Sequence, residues 1–225
     1  MAPQFTLYSH KGPGPNPLKP AILMEKLGLE YEVIPLVFGD DAETGVKGAK
    51  FLKVNPNGRV PALVDHSNSD FTVWESGAIL LYLVDKYDKS GQFHGKTPEE
   101  RAITNQWLTH QLSGLGPVQG NVNYAHHYWE GTYNEKPQKS VFTRFEGETH
   151  RLYELLDSQL AQQAQRGSQW IALDRPTIAD FTFYPWVAIA GFGKIDTAPY
   201  KHVTKWLQTL QADKDVKTAD SKLPK

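Results

Sequence analysis

The chain has 225 residues and a formal net charge of -1, and charged side chains make up 22% of it. This length allows one large domain or two smaller ones, and the near-neutral charge gives no long-range attraction to nucleic acid or to an anionic membrane. The sequence has no cysteine, which excludes disulfides, thiolate metal sites and a protein thiol nucleophile. With neither a signal peptide nor a run of about 18 apolar residues, we expect a soluble, cytoplasmic protein without a nucleic-acid or membrane partner.

The beginning of the chain alternates strand and helix signals. Residues 5–9 form a β-prone segment, which the glycines and prolines of residues 12–15 end. Apolar residues recur at helical spacing over residues 17–28, and residues 31–37 form a second β-prone segment. Residues 39–54 are less regular because glycines weaken a helix there. The short connections predict parallel pairing of the two strands.

A hairpin and a helix are predicted next. Residues 61–65 and 71–74 are rich in apolar, aromatic and β-branched side chains, and the polar residues 66–70 between them favour a tight turn. We therefore expect an antiparallel hairpin. Ser76 suits the N-cap of a helix that ends near residue 88.

The entrance to this hairpin has two features that suit a small anionic peptide. Pro61 stands at the start of a strand, where a proline leaves part of the backbone edge open to another partner. Directly beside that edge, the first N–H groups of the helix at Ser76 and the positive end of its dipole can bind a carboxylate.

The second half of the chain carries helical signals. Thr97 and Pro98 mark a helix start, and the glycines around Pro117 predict a kink or break. Further helices are predicted over the apolar periodic segments at residues 141–160, 176–190 and 203–210. Residues 213–225 are polar and predict a loose tail.

Several motifs together resemble one family. Residues 55–63 (NPNGRVPAL) and 74–79 (WESGAI) resemble the glutathione-binding half of cytosolic glutathione transferases, with its cis-proline hairpin and Glu-Ser pair. Ser9, His10, Asn16 and residues 113–117 (SGLGP) resemble the fungal nitrogen-regulator-like class and the bacterial nu class. The resemblance covers nearly the whole chain.

This resemblance implies the glutathione transferase fold. The expected domains are an α/β thioredoxin-like N-terminal domain at residues 1–88, which binds glutathione, and an all-α helical-bundle C-terminal domain at residues 97–225. The second domain would carry a hydrophobic site for the second substrate. The predicted element order, β-α-β-(α)-β-β-α before residue 88, is the thioredoxin-like order.

The resemblance also assigns contacts to glutathione. Ser76 would hold the γ-glutamyl carboxylate and Glu75 the ammonium group, although an isolated Glu-Ser pair could simply cap a helix. At the Val60-Pro61 edge, the backbone N–H and C=O of Val60 would pair with the cysteinyl unit.

The glycyl end of glutathione has less certain partners. The family pattern has a histidine near the position of Val46, so Lys47 or Lys50 would have to reach the glycyl carboxylate instead, although exposed lysines are usually only solvated charges. Arg59 is a further binding candidate, with a structural role as its alternative.

Three residues are candidates for activating the glutathione thiol. The resemblance puts Asn16 beside the sulfur, where its amide could donate a hydrogen bond to the thiolate. Asn16 followed by Pro17 is also an ordinary helix cap, and both roles can hold together. Tyr8 and Ser9 are rivals because other classes of the family place a tyrosine or serine near the end of the first strand.

Aromatic residues of the second half allow two interpretations. Tyr124, Tyr128, Trp129 and Tyr133 could form bundle core, or with His127 line a pocket for an apolar electrophile. A metal site at His126 and His127 is not expected, because adjacent helical residues point about 100° apart and no cysteine completes a ligand set.

The resemblance implies a glutathione transferase with glutathione as co-substrate and no metal. Its thiolate would attack a hydrophobic electrophile, or reduce a disulfide or peroxide. The alternative is a non-catalytic regulatory or partner-binding protein with this fold, and a third possibility is a glutathione-dependent isomerase or lyase. The resemblance also implies a homodimer, a fungal source and a role in detoxification or stress response.

Overall fold

The computed structural model describes residues 3–12 and 14–225 of the chain. The chain divides into two compact units, the first running to Gly91 and taking in Gln211–Lys225, and the second covering Gln92–Leu210. Within the described part of the chain, no helix is both long enough and apolar enough to cross a membrane.

A four-stranded mixed sheet is the framework of the first unit. Its strands are β1 (Phe5–His10), β2 (Tyr31–Leu36), β3 (Ala62–Asp65) and β4 (Phe71–Trp74), in the spatial order β2-β1-β3-β4. In β1, Leu7 lies opposite Val33 of parallel β2 and opposite Leu63 of antiparallel β3. The hairpin of β3 and β4 turns through a short 3-10 helix at His66–Asn68. The predicted strand pairing is therefore confirmed.

The helices α1 (Pro15–Leu27), α2 (Ala49–Leu52) and α3 (Ser76–Tyr87) follow β1, β2 and β4 in the chain. Ile22 and Leu23 of α1 are fully buried, and α1 packs against α3. The helix ends at Gly28, whose φ of 67° lies in the left-handed region that glycine adopts without steric penalty.

The starts of α1 and α3 correct two predictions. Gly14, in an extended conformation, is the N-cap residue of α1, because Pro15 already has the fixed φ that suits the first helical position. Glu75 is the N-cap residue of α3. Asn16 and Ser76 therefore lie in the first helical turns, and the prediction that they are N-caps is wrong.

The second unit contains α4 (Pro98–His110), α5 (Gly116–His127), α6 (Trp129–Tyr133), α7 (Lys139–Gln165), α8 (Ile178–Ala188) and all but the last two residues of α9 (Lys201–Ala212). A π-helical stretch at Gln111–Leu115 separates α4 from α5, where the glycines predicted an interruption. Thr177 and Asp180 form the capping box of α8. Asp180 also accepts hydrogen bonds from the backbone N–H of Ile171 and from Nε1 of Trp206, and so anchors the helical core.

The last segment of the chain is a helix, so the prediction of a loose tail is wrong. α10 (Lys214–Lys222) packs against α1 and is capped by Asp213, whose carboxylate accepts from the N–H groups of Asp215 and Val216. Lys26 of α1 lies 2.5 Å from the carboxylate of Asp213 and 2.9 Å from that of Asp215. These ion pairs, distant in sequence, explain why a polar segment is ordered.

Candidate functional site

A cavity of about 370 Å³ opens in the first unit beside the entrance to β3. Its wall comes from the end of β1, the first turn of α1, the segment between β2 and β3, and the start of α3. The lining residues are His10, Asn16, Phe38, Val46, Lys47, Asn55, Gly58, Arg59, Val60, Pro61, Glu75 and Ser76. Of the residues that the sequence assigned to glutathione binding, all but the alternative candidate Lys50 lie in this wall, from Asn16 to Ser76.

The loop before β3 forms one side of the cavity. The Val60-Pro61 peptide bond is cis, as the resemblance implied. Asn55, which is only 1% exposed, holds the loop: its Nδ2 donates to the carbonyl of Arg59 at 2.6 Å and its Oδ1 accepts from the N–H of Asn57 at 3.0 Å. Asn55 therefore keeps the backbone around the cis-proline in one conformation.

The start of α3 forms the part of the cavity wall that suits a bound anion. Ser76 is buried, and the N-terminal N–H groups and dipole of its helix favour an anion. Glu75 before it has φ 73° and ψ 123°, a backbone conformation that residues other than glycine rarely adopt. Strained backbone of this kind is often found at functional sites. The pair can thus offer a carboxylate site and, next to it, a carboxylate of its own.

A buried lysine contacts the start of α3. Lys19 of α1 is 1% exposed, and its Nζ donates to Oγ of Ser76 at 3.5 Å. Burial lowers the pKa of Lys19 to about 7, while the negative charge of Glu75 opposes the shift. This residue was not predicted, although its spacing from Ile22 and Leu23 puts it on the buried face of α1.

The three thiol-activating candidates have different surroundings. Of these, all within the described chain, the cavity wall includes Asn16 alone. The Oγ of Ser9 is buried and donates to the carbonyl of His10 at 3.4 Å. The ring of Tyr8 packs on Phe51 with centroids 5.2 Å apart, and burial raises the pKa of the Tyr8 hydroxyl.

Phe38 and His10 are among the wall residues that were not predicted to bind glutathione. The ring of Phe38 is 73% exposed and lies 4.8 Å from the ring of His10. Burial lowers the pKa of His10, which favours its neutral form. A Cβ atom at position 14 would come within 2.2 Å of Nε2 of His10, so the approach of this ring requires Gly14.

The basic residues proposed for the glycyl carboxylate differ in whether they line the cavity. Lys47 lines the cavity and its Nζ donates to the carbonyl of Asn57 at 2.7 Å. Arg59 lines it as well. Lys50 is exposed and pairs with Glu43 at 3.0 Å, so it belongs to the solvated surface.

The aromatic residues of the second unit cluster at the junction of α5 and α6. The ring of Tyr124 lies 6.0 Å from that of Tyr128 and 6.3 Å from that of Trp129. His127 stacks on Phe192 with centroids 3.9 Å apart. Tyr128 is 54% exposed, so this cluster presents apolar surface rather than closed core.

Within residues 3–12 and 14–225, no group of His, Asp and Glu side chains is arranged to hold a metal ion. His126 lies 3.3 Å from the carboxylate of Glu146, whereas Nε2 of His127 lies 2.6 Å from the carbonyl of Phe192. The two adjacent histidines therefore have separate partners.

Family comparison agrees with this geometry. The glutathione S-transferase N-terminal domain matches residues 3–85, and the glutathione S-transferase C-terminal domain matches residues 123–213. The chain therefore belongs to the glutathione S-transferase family, and its predicted fold, thioredoxin-like followed by helical, is confirmed.

Two curated relatives extend over most of the chain. Glutathione S-transferase 2 of Schizosaccharomyces pombe is 39% identical over 184 residues, which cover 81% of this chain and 74% of that protein. Disulfide-bond oxidoreductase YfcG of Escherichia coli is 34% identical over 206 residues, which cover 89% of this chain and 87% of that protein.

Solved structures show the same fold. A glutathione transferase homolog from Lodderomyces elongisporus, with two GSH per subunit, has a TM-score of 0.87 at 30% identity and covers 100% of both chains. The nitrogen regulation fragment of the yeast prion protein Ure2p has a TM-score of 0.86 at 31% identity and covers 96% of both chains.

Proposed function

We propose that this protein is an active glutathione transferase that binds glutathione in the cavity beside the cis-proline. The observation that carries the proposal is the meeting, in one cavity, of the Val60-Pro61 edge, the start of α3 at Ser76, and Asn16. A peptide edge, an anion site and a hydrogen-bond donor are what a γ-glutamyl peptide with a reactive thiol requires.

The binding mode follows from the chemistry of the wall. The hydroxyl of Ser76 and the first N–H groups of α3 bind the γ-glutamyl carboxylate, and Glu75 binds the neighbouring ammonium. The backbone of Val60 pairs with the cysteinyl unit as an added strand would. Lys47, with Arg59 nearby, binds the glycyl carboxylate.

Asn16 is the proposed donor to the glutathione sulfur. A free thiol with a pKa near 8.5 is only a few per cent ionised at neutral pH, and lowering the pKa by about two units takes about 2.7 kcal/mol. One or two charge-assisted hydrogen bonds supply an energy of this size. A strong base is therefore not required.

The proposed reaction is nucleophilic attack by the thiolate. On an electrophilic carbon, a sulfur–carbon bond forms, the leaving group departs with its bonding electrons, and the thiol proton passes to solvent. The aromatic surface around Tyr124, Tyr128, Trp129 and His127 is the proposed contact for a hydrophobic acceptor. Detoxification of apolar electrophiles in the cytoplasm would use this chemistry.

Disulfide reduction is the second reaction that the site would support. One glutathione thiolate attacks the substrate disulfide and releases a thiolate, and a second glutathione then resolves the mixed disulfide to give oxidised glutathione. Because the chain has no cysteine, glutathione must supply both reducing sulfurs. The names of the relatives favour this option: one is a disulfide-bond oxidoreductase, and one homolog holds two GSH per subunit. Reduction of a peroxide by two glutathione molecules has the same electron balance.

A non-catalytic regulator is the alternative function, and the likeness to the nitrogen regulation fragment of Ure2p is the observation that favours it. Such a protein could bind glutathione without ionising its thiol. The presence of Asn16, Pro61, Glu75 and Ser76 in one wall favours catalysis, because a regulator has no need to keep a thiol-activating group.

We also expect a homodimer. β4 is an edge strand of the sheet and exposes large apolar side chains at Phe71 and Trp74, which a partner surface would cover. Sedimentation should give about twice the subunit mass of 25.3 kDa. An active, strictly monomeric protein would contradict this part of the proposal.

Catalysis is tested with two probes of different chemistry. We expect glutathione-dependent turnover of a chloronitrobenzene or of a small mixed disulfide, at a rate clearly above the uncatalysed reaction. Binding of glutathione without turnover of either probe would favour the regulatory alternative. Failure to bind glutathione would contradict the proposed transferase function and leave the regulatory alternative.

A further inference from the structure

A lysine is rarely buried as completely as Lys19 unless its ammonium group is paired with another polar or charged group. The side chain extends from the second turn of α1 to the start of α3, where its Nζ donates to Oγ of Ser76 at 3.5 Å. Burial of an ammonium disfavours its charged form, and Glu75 is the charged group that offsets this penalty.

Another lysine of the same helix shows what an ordinary structural ion pair looks like here. Lys26 contacts the carboxylates of both Asp213 and Asp215, and it is only partly buried. Lys19 instead lies behind a serine hydroxyl and a helix N-terminus, which carries positive partial charge of its own. Two positive features side by side are unfavourable in the free protein, but together they suit a bound carboxylate.

We propose that Lys19 is a positioning residue for the γ-glutamyl carboxylate, acting from behind the wall through Ser76. This inference rests on the proposed function and deepens it. Because the ammonium donates to Oγ of Ser76, the serine accepts from behind and directs its own O–H to the ligand. The positive charge of Lys19 also balances the carboxylate that binds in front of Ser76.

This arrangement predicts that ligand binding changes the number of protons bound to the protein. Near pH 8 Lys19 is largely neutral in the free protein, because burial lowers its pKa to about 7. A carboxylate bound close by favours the ammonium, so binding takes up a proton from the buffer. Among the facing groups, Glu75 from the β4–α3 junction acts on Lys19 directly, whereas the charges of α10 pair with Lys26 and Glu25. His10 lines the same cavity and is the competing proton acceptor.

Calorimetry with S-methylglutathione tests this balance in the unmodified protein. The blocked thiol has no proton to lose, so titrations in two buffers of different ionisation enthalpy report the protein groups and the ligand's amino group, which contributes equally in every variant. We expect proton uptake at about pH 8 that is retained in His10→Asn and is smaller by close to one proton per bound ligand in Lys19→Met. Binding without proton uptake would overturn the role of Lys19 but leave the proposed function standing. Absence of binding would overturn both.

Variants then separate positioning from core packing. In Lys19→Met we expect the Kd of S-methylglutathione to rise about tenfold or more, and the KM for glutathione to rise while kcat falls much less. In Lys26→Met, the matched control, the Kd should stay within about twofold. If Lys19→Met kept its affinity and only lost thermal stability, Lys19 would be a packing residue.

A double variant tests whether the effect passes through Ser76. We expect the double variant Lys19→Met with Ser76→Ala to bind S-methylglutathione with nearly the same affinity as whichever single variant binds it more weakly. The losses of affinity caused by two residues that act as a unit do not add. Independent, multiplied losses of affinity would overturn the claim that Lys19 acts through Ser76. Should Lys19→Met fail to fold, uptake of more than one proton per ligand by the unmodified protein still supports the proposal, and uptake of less than one overturns it, because the amino group of the ligand alone takes up less than one proton at about pH 8.

Discussion

The Nζ atom of Lys19 lies 3.5 Å from the Oγ atom of Ser76, so a residue of α1 and the first residue of α3 share one buried polar contact. Burial lowers the pKa of this ammonium from 10.5 to about 7 in the folded protein. Between these two values the unfolded chain binds more protons at this position than the folded chain does. The free energy of unfolding contributed by Lys19 therefore rises with pH across that window.

We expect the unfolding free energy of the ligand-free protein to rise, relative to Lys19→Met, by about 2 kcal/mol between about pH 7 and pH 9. Methionine has similar length and does not titrate, so the difference between the two proteins isolates Lys19. Chemical denaturation over a series of pH values measures it. Curves that remain parallel would mean that Lys19 does not titrate in this window.

Ser76→Ala should weaken glutathione binding by about 1 to 3 kcal/mol, because it removes a hydroxyl donor to the γ-glutamyl carboxylate. Thermal stability should change less, since the N-cap position of α3 is Glu75 and not Ser76, and the hydrogen bond lost from Lys19 to Ser76 is long at 3.5 Å. Calorimetry and thermal melting give the two quantities. Ser140→Ala, an exposed serine in the first turn of α7, is the matched control and should leave binding unchanged. Unaltered affinity together with a lower melting temperature would leave Ser76 a structural role only.

Asn16→Asp should raise the pKa of the bound glutathione thiol and reduce turnover, because a carboxylate repels the thiolate. Asn16 is the second residue of α1, where an acidic side chain is favoured by the helix dipole, so stability should hold or rise by up to about 1 kcal/mol. Asn16→Ser, which can still donate, should be intermediate. Full activity of the aspartate variant would contradict the role of Asn16 and favour Ser9 or Tyr8 as the residue that activates the thiol.

Glu75→Gly separates backbone strain from ligand contact at one position. Glycine adopts the φ of 73° without the steric penalty that a side chain carries there. We expect the glycine variant to be more stable than Glu75→Gln by about 1 kcal/mol, and both to bind glutathione more weakly because both lose the carboxylate. Equal stability of the two variants would argue against strain at Glu75.

The sheet and much of the site were predictable because their signals are local. The alternation of strand and turn residues over 61–74 sets the hairpin, and the Asn-Pro-Asn-Gly segment with the Glu-Ser pair marks the two sides of the cavity. Periodicity also predicted α4, α7, α8 and α9 of the second unit, apart from their exact ends, whereas the short helix α6 was not predicted.

The errors arose where distant residues or unusual backbone decide the structure. α10 was missed because its order depends on Lys26, which is far away in the sequence, although Asp213 gave a local capping signal. The sequence predicts Ser76 as the N-cap because nothing in it indicates that Glu75 adopts a positive φ. The burial of Lys19 was not predicted because a lysine is normally solvated. Its burial depends on the packing of α1 against α3.

The central claim is that this protein ionises the thiol of a glutathione bound beside the cis-proline. A pH titration of the ultraviolet absorbance of the thiolate, with glutathione bound to the protein, measures this directly. We expect the apparent pKa of the bound thiol to lie about two units below the value near 8.5 of a free thiol. Glutathione bound with an unshifted thiol pKa would contradict catalysis and favour a role limited to binding.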